Sequence, residues 1–393
     1  MTNSNQVNSS GLPTAIPEAP SGLGTMPRGE PRPAGEDVCI LHDAQGRRIT
    51  YVRVSLTDRC NFRCRYCMPT EGIHKLAHRE MLSLEELAAL IRVLVAELGI
   101  EKVRITGGEP LIRRGVIDFI TAIAAIPGLR DLSMTTNAYY LAGMAEDLYA
   151  AGIHRLNISL DTLQPERFAH ITLVDGLAQV LQGIERARQI GFSPIKLNTV
   201  ITRENLDEAA AIVRFAIARN LQPRFIELMP SHEECATQFV SADELRSHLA
   251  REFHLEPGPR SNEVTTPSNE TTTGSNETTT GSNEATPRLS DATGAAECHA
   301  AARLYRLDGG EHCCGFIAPM THPFCHLCNR IRVRGDGHML PCLSEDVYYD
   351  LKPYIRPELR DRELITYLRE VLAVSKGHTP AARRIQGMWR IGG

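Results

Sequence analysis

The chain has 393 residues, 42% hydrophobic and 23% charged, with a formal net charge of −4. That length suits one large domain with a smaller companion, and the charge balance argues against a general nucleic-acid or membrane-surface binder. No apolar run is long enough to span a bilayer, and the N-terminus has no secretory or transit pattern, so a cytoplasmic location is expected. Eleven cysteines, odd in number and clustered, suit metal or redox chemistry in a reducing compartment better than a disulfide framework.

Residues 1–46 are rich in Pro, Gly, Ser and Asn and read as a disordered tail. Over 47–258, six β-branched runs, YVRVSLT, KVRITG, DLSMTTN, RLNISLD, IKLNTVI and RFIELM, alternate with helical patterns. The helix SLEELAALIRVLVAELG opens on a capping box of Ser83 and Glu86 and stops at Gly99. DGLAQVLQGIERARQIG and NLDEAAAIVRFAIARN read likewise. Six βα units predict an α/β fold, an incomplete (β/α)6 TIM-like barrel, with a doubly wound sheet as the second choice. Residues 259–300 hold a repeated S-N-E-T-T-T-G unit too polar to fold and read as an insertion. A C-terminal region, 301–393, follows.

Strand side chains alternate between faces, and one face is polar in nearly every strand. It carries Arg53, Ser55 and Thr57, then Arg104 and Thr106, then Ser133, Thr135 and Asn137. Asn157, Ser159 and Asp161 follow, then Lys196 and Asn198, and finally Glu227 and Met229. A lone polar residue in a strand is usually solvated or satisfied locally. Six strands together are not, because burying Arg or Lys unpaired costs several kcal/mol. A barrel interior lined by Arg53, Arg104 and Lys196 therefore expects a polyanion. Sites in such barrels lie beyond the C-terminal ends of the strands.

There, after the first strand, stands TDRCNFRCRYCMP, with Cys60, Cys64 and Cys67 spaced C-x3-C-x2-C and interleaved with Arg59, Arg63 and Arg65. Structural zinc wants four protein ligands, a disulfide leaves one thiol over, and a 4Fe–4S cluster on three thiolates keeps one iron free for a substrate or cofactor. A second trio, Cys325, Cys328 and Cys342, is spaced C-x2-C-x13-C. A zinc knuckle completed by His322, His326 or His338 competes with a second open cluster here. CNRIRVRG sets Arg330, Arg332 and Arg334 on one strand face, which beside an open iron reads as an anion site. Cys39, Cys235, Cys298, Cys313 and Cys314 read as small buried hydrophobes.

C-x3-C-x-aromatic-C, with Tyr66 before Cys67, resembles the hallmark of radical S-adenosylmethionine enzymes, and GGEP at Gly107–Pro110 resembles their motif for the methionyl amino group. With MTTNA, NISLDT, KLNTVI, RFIELMP, FCHLCNRIRVRGDGHMLPCL and the terminal IGG, the chain is similar to the GTP 3′,8-cyclase family of molybdenum-cofactor biosynthesis. The resemblance implies two 4Fe–4S clusters. One, on Cys60, Cys64 and Cys67, cleaves S-adenosylmethionine. The other, on Cys325, Cys328 and Cys342 in a C-terminal extension, takes the guanine end of GTP. It implies that Tyr66, Gly108, Glu109, Ser159 and Met229 serve S-adenosylmethionine. GTP would be met by Arg53, Arg104, Thr135, Lys196, Arg330, Ile331 and Arg332. An external electron donor and a downstream cyclic pyranopterin monophosphate synthase are implied too, a homodimer is compatible, and Gly392 and Gly393 would reach towards the site. The same radical chemistry on a peptide is the alternative. Three positions depart from the family pattern: Ala138 for Gly, His232 for Gly and Arg334 for Thr.

Overall fold

The computed structural model describes residues 40–68, 75–229, 236–258, 301–343 and 347–376. Residues 1–39, the insertion, Gly392 and Gly393 lie outside the described residues, as do Cys39, His232, Cys235 and Cys298. Residues 40–46, expected to belong to the tail, instead pack against the fold: Leu41 is 1% exposed and Asp43 4%.

Six strands arrive in the expected order: β1 Tyr51–Ser55, β2 Lys102–Thr106, β3 Asp131–Thr136, β4 Arg155–Ser159, β5 Ile195–Ile201 and β6 Gln222–Glu227. Each pairs in parallel with the next. The crossovers carry helices α1 Leu84–Ala96, α2 Val116–Ala124, α3 Leu141–Ala150, α4 Pro165–Thr172, α5 Leu177–Ile190 and α6 Ala209–Ile217. A further helix, α7 Ala242–Leu249, follows β6. The capping box of α1 forms as read: Glu86 N donates to Ser83 Oγ at 3.1 Å and Ser83 N to Glu86 Oε2 at 2.6 Å. Val52, Val54, Val103, Ile105, Ile158, Leu160 and Leu197 are all buried beneath these helices, as the alternation predicts.

The C-terminal region adds β7 Leu255–Pro257, β8 Arg303–Leu307, β9 Cys313–Ile317, β10 Arg330–Val333, β11 His338–Leu340 and β12 Tyr349–Asp350. Two of these extend the parallel ladder: β9 lies beside β6, and β10 lies beside β1. The twelve strands run β12-β11-β10-β1-β2-β3-β4-β5-β6-β9-β8-β7, so eight consecutive parallel strands stand where six were counted. A count of βα units misses these two because no α-helix follows directly after either. Helices α8 Lys352–Ile355 and α9 Asp361–Val374 close the described chain.

The sheet curls. Neighbouring strands lie about 4.8 Å apart, so a flat sheet would separate Tyr51 on β1 from Arg224 on β6 by roughly 24 Å. The two side chains nonetheless interact electrostatically, as do Arg224 and Arg104 on β2. The polar face is therefore the concave one.

Candidate active site

The register sets cations in a row. Arg332 on β10 stands beside Arg53 on β1, which stands beside Arg104 on β2. Ser133 and Arg155 continue the row on β3 and β4. Arg53 and Arg332 are 8% and 6% exposed. Burial, then the neighbouring arginines, hold Arg53 down to about 9 and Arg332 to about 10. Arg104 donates to Ser133 Oγ at 3.2 Å and lies 5.5 Å over the Tyr51 ring. On the opposite wall burial, followed by Arg224, Arg104 and Arg155, brings Lys196 down to about 7. Thr135 and Asn157 are register partners on β3 and β4, and Asn157 faces Lys196 on β5.

Some expectations need correction. Arg224, not Glu227, faces the hollow on β6, because Arg224 is in register with Asn198 while Glu227 pairs with Ile201. Glu227 instead accepts hydrogen bonds from the amides of Ala242, Met320 and Thr321. Ile331 is fully buried on the opposite face beside Val52, so only its main chain can meet a ligand in the hollow. Arg334 is no anion site. Its guanidinium pairs with Asp336 at 2.6 Å and covers the Tyr348 ring at 5.1 Å.

The first cysteine loop leaves the C-terminal end of β1 and is fastened on two sides. Arg63 N and Arg65 N donate to Thr172 O and Ile171 O at 2.9 and 3.0 Å, at the end of α4. The GGEP loop binds the other side, with Gly108 N on Thr57 O at 2.7 Å and Glu109 N on Arg59 O at 2.8 Å. A Cβ at Gly108 would stand 2.1 Å from Arg59 O, so no larger residue fits. Glu109, 1% exposed and raised to about 7 by burial, accepts from Thr136 Oγ1 and Asn137 N at 2.7 Å each and caps its own loop at Leu111 N. Tyr66 donates to Asp161 at 2.6 Å, and burial raises that carboxyl to about 6. Ser159 and Asn198 are register partners on β4 and β5, and Met229 lies past the end of β6, packed on Leu340. Ala138 sits at φ 61°, the left-handed backbone for which the family's glycine is suited.

The second trio assembles from the other direction. Cys325 and Cys328 precede β10, which runs parallel to β1, so they lie where the barrel strands begin. Cys342 follows β11, which runs antiparallel to β10 and ends at the same side. The two cysteine sites thus bracket the arginine row, separated by a strand length of roughly 20 Å from Tyr51 to Thr57. Near this site stand two residues that the sequence reading missed. Lys376 Nζ is 4.0 Å from Cys328 Sγ, and Arg47 donates to Cys325 O. Burial raises the Cys328 thiol, but Lys376, Arg330 and Arg332 outweigh it and bring the pKa to about 7. Nothing in the sequence separates these two cations from ordinary surface charge.

His322 and His338 are engaged with Asp243 and Asp336 at 3.0 and 3.2 Å, and His326 is exposed, which disfavours the zinc knuckle. Among the described residues no three His, Cys, Asp or Glu side chains converge on one ion. A four-iron cluster instead spreads its thiolates over separate corner irons. The surroundings fit one. Cys60 Sγ accepts from Phe62 N at 3.4 Å and Asn137 Nδ2 at 3.8 Å, contacts that stabilise thiolate charge. Buried Nε atoms of Arg224 and Arg332 and Oδ1 atoms of Asn157 and Asn198 have no hydrogen-bond partner among the described residues and fit a polar ligand.

Residues 54–216 match the Radical SAM superfamily and residues 265–379 match Molybdenum Cofactor Synthesis C. A GTP 3′,8-cyclase from Moorella thermoacetica is 38% identical over 353 residues, covering 89% of this chain and 97% of that protein. The chain belongs to the GTP 3′,8-cyclase family. The cyclase of Pseudomonas putida is 42% identical over 329 residues, covering 82% of this chain and 87% of that cyclase. The structure of Streptococcus suis SuiB bound to S-adenosylmethionine aligns with a TM-score of 0.42 at 16% identity, covering 52% of this chain and 43% of that one. No helix among the described residues is long and apolar enough to cross a membrane.

Proposed function

We infer that this chain is a radical S-adenosylmethionine GTP 3′,8-cyclase. It converts GTP to (8S)-3′,8-cyclo-7,8-dihydroguanosine 5′-triphosphate by hydrogen abstraction from C3′ and attack on C8, the first step of molybdopterin biosynthesis. The observation that carries the reading is the buried cation row between two cysteine trios. When bound on Cys60, Cys64 and Cys67, the 4Fe–4S cluster supplies the electron that splits S-adenosylmethionine into methionine and the 5′-deoxyadenosyl radical.

The protein's own part is binding, orientation and dryness. Arg53, Arg104, Lys196 and Arg224 neutralise the triphosphate, which in turn relieves their mutual repulsion. Arg330, Arg332 and the main chain of Ile331 steer the guanine towards Cys325, Cys328 and Cys342, and Thr135 contacts the nucleotide on the facing wall. Tyr66, Gly108, Ser159 and Met229 line the S-adenosylmethionine side. Glu109 shapes that side by holding the ends of β2 and β3 together. None of the eight described cysteines forms a disulfide, which suits the cytoplasm. An external carrier supplies electrons, a cyclic pyranopterin monophosphate synthase consumes the product, and a homodimer is testable by size-exclusion chromatography.

Anaerobic incubation of the reconstituted chain with S-adenosylmethionine, a reductant and GTP deuterated at C3′ should put deuterium into 5′-deoxyadenosine and yield the cyclised nucleotide. Deoxyadenosine formed at the same rate without GTP, or free of the label, overturns the reading and favours the peptide alternative.

A further inference from the structure

We propose that Lys376 is the positioning cation of the second cysteine site and that Arg47 locks it in place, a proposal that rests on reading Cys325, Cys328 and Cys342 as cluster ligands. Lys376 is 4% exposed. Its Nζ donates to Arg330 O at 2.5 Å and stands 4.0 Å from Cys328 Sγ. Among the described residues no carboxylate forms an ion pair with it. An ammonium taken out of water without a counter-charge costs several kcal/mol. The anions that act on it are the thiolates of Cys328 and Cys342 and, beyond ion-pair distance, the Asp43 carboxylate that Arg47 already pairs; the thiolates become permanent anions only when they ligate metal.

The surrounding chain holds the ammonium there. Lys376 itself adopts φ 60°, a left-handed backbone that a lysine enters at a cost. Ala44 N donates to Ser375 O at 3.1 Å. Arg47 spreads its planar guanidinium over three acceptors: Asp43 Oδ2 at 2.8 Å, Lys376 O at 3.3 Å and Cys325 O. Asp43 is fixed by the amides of Gln45 and Arg47 at 3.0 Å each. A segment near the start of the chain and one near its end thus close over the Cys325–Cys328 turn. The arrangement holds Cys325 by its carbonyl, Cys328 by charge and the start of β10 by Arg330 O.

A fixed cation beside a cluster thiolate has two consequences. It favours the added electron, so it raises the reduction potential, and it opposes loss of the metal by stabilising the thiolate. The plainer role, a hydrogen bond that merely tethers the chain to Arg330, has neither. Lys376→Gln separates them, because an amide can still donate to that carbonyl but carries no charge.

The test uses the full chain with Cys60, Cys64 and Cys67 all changed to serine, so that only the second site can hold a cluster. Iron and sulfide content, the midpoint of an EPR-monitored redox titration and the rate of iron loss to a chelator are measured without GTP or turnover. Lys376→Gln and Lys376→Met should both move the midpoint to more negative potential and release iron several-fold faster. Arg47→Met should speed iron release with a smaller shift of the midpoint. A Lys376→Gln variant with the parent's midpoint and release rate overturns the proposal, and it decides the matter even if Lys376→Met does not fold. A parent that binds no iron overturns the cluster reading of the site and the proposal with it.

Discussion

Lys196 on β5 is flanked by Arg155 on β4 and Arg224 on β6 and looks across the hollow to Arg104 on β2, and burial together with those charges leaves its pKa near 7. The unfolded chain keeps that proton up to the ordinary value of 10.5, so the free protein should gain stability as pH rises from 7 towards 10.5. A bound polyphosphate reverses the preference. GTP binding at pH 8 should therefore take up a proton, seen as a buffer-dependent calorimetric enthalpy, and Lys196→Arg should abolish the uptake. Arg332 poses a related conflict, since it is buried beside Arg330 with an Nε that has no partner among the described residues. Arg332→Met should raise the thermal midpoint of the ligand-free protein by about 2 °C or more, while weakening GTP at least about tenfold through loss of a charged hydrogen bond. Arg53, Arg104 and Lys196 were legible because buried cations on alternate strand positions have no innocent explanation. Arg224 was not. In RFIELM both phases of the alternation carry a charge, and only the pairing with β5 reveals which one points inward.

At the scale of elements, the strand-to-helix loops do most of the placing. GGEP carries little information as four letters, yet its amides clamp the carbonyls that lead into Cys60. Gly108→Ala should cost about 2 kcal/mol or more by overpacking against Arg59 O, and its iron content should fall at the first site before the second. Cys64→Ser should abolish cleavage of S-adenosylmethionine. Cys328→Ser should spare the first cluster and weaken GTP binding, each read by iron analysis and nucleotide titration. Equal loss of both clusters in either variant would contradict the separate roles. The α1 capping box was readable because it is purely local, Ser83 and Glu86 satisfying each other. Its second duty was not. Glu86 also receives Arg356 Nε and Nη2 at 2.5 and 2.8 Å, a bidentate link to the C-terminal region that only the tertiary fold creates.

For the whole molecule, the six-unit barrel followed from counting runs, and CNRIRVRG was legible as a strand, whereas the places of β9 and β10 in the ladder escaped because pairing between residues as distant as Arg224 and Gly315, or Arg53 and Arg332, leaves no local trace. Reconstituted protein should hold about eight iron and eight sulfide per chain. The late arrival of β9 and β10 bears on biosynthesis. Until the last third of the polypeptide has been made, β1 and β6 offer bare backbone amides and carbonyls to any passing strand. Nascent chains should therefore depend on chaperone shielding for longer than a self-contained barrel would. A product ending at residue 258 should self-associate in light scattering even with its first three cysteines intact.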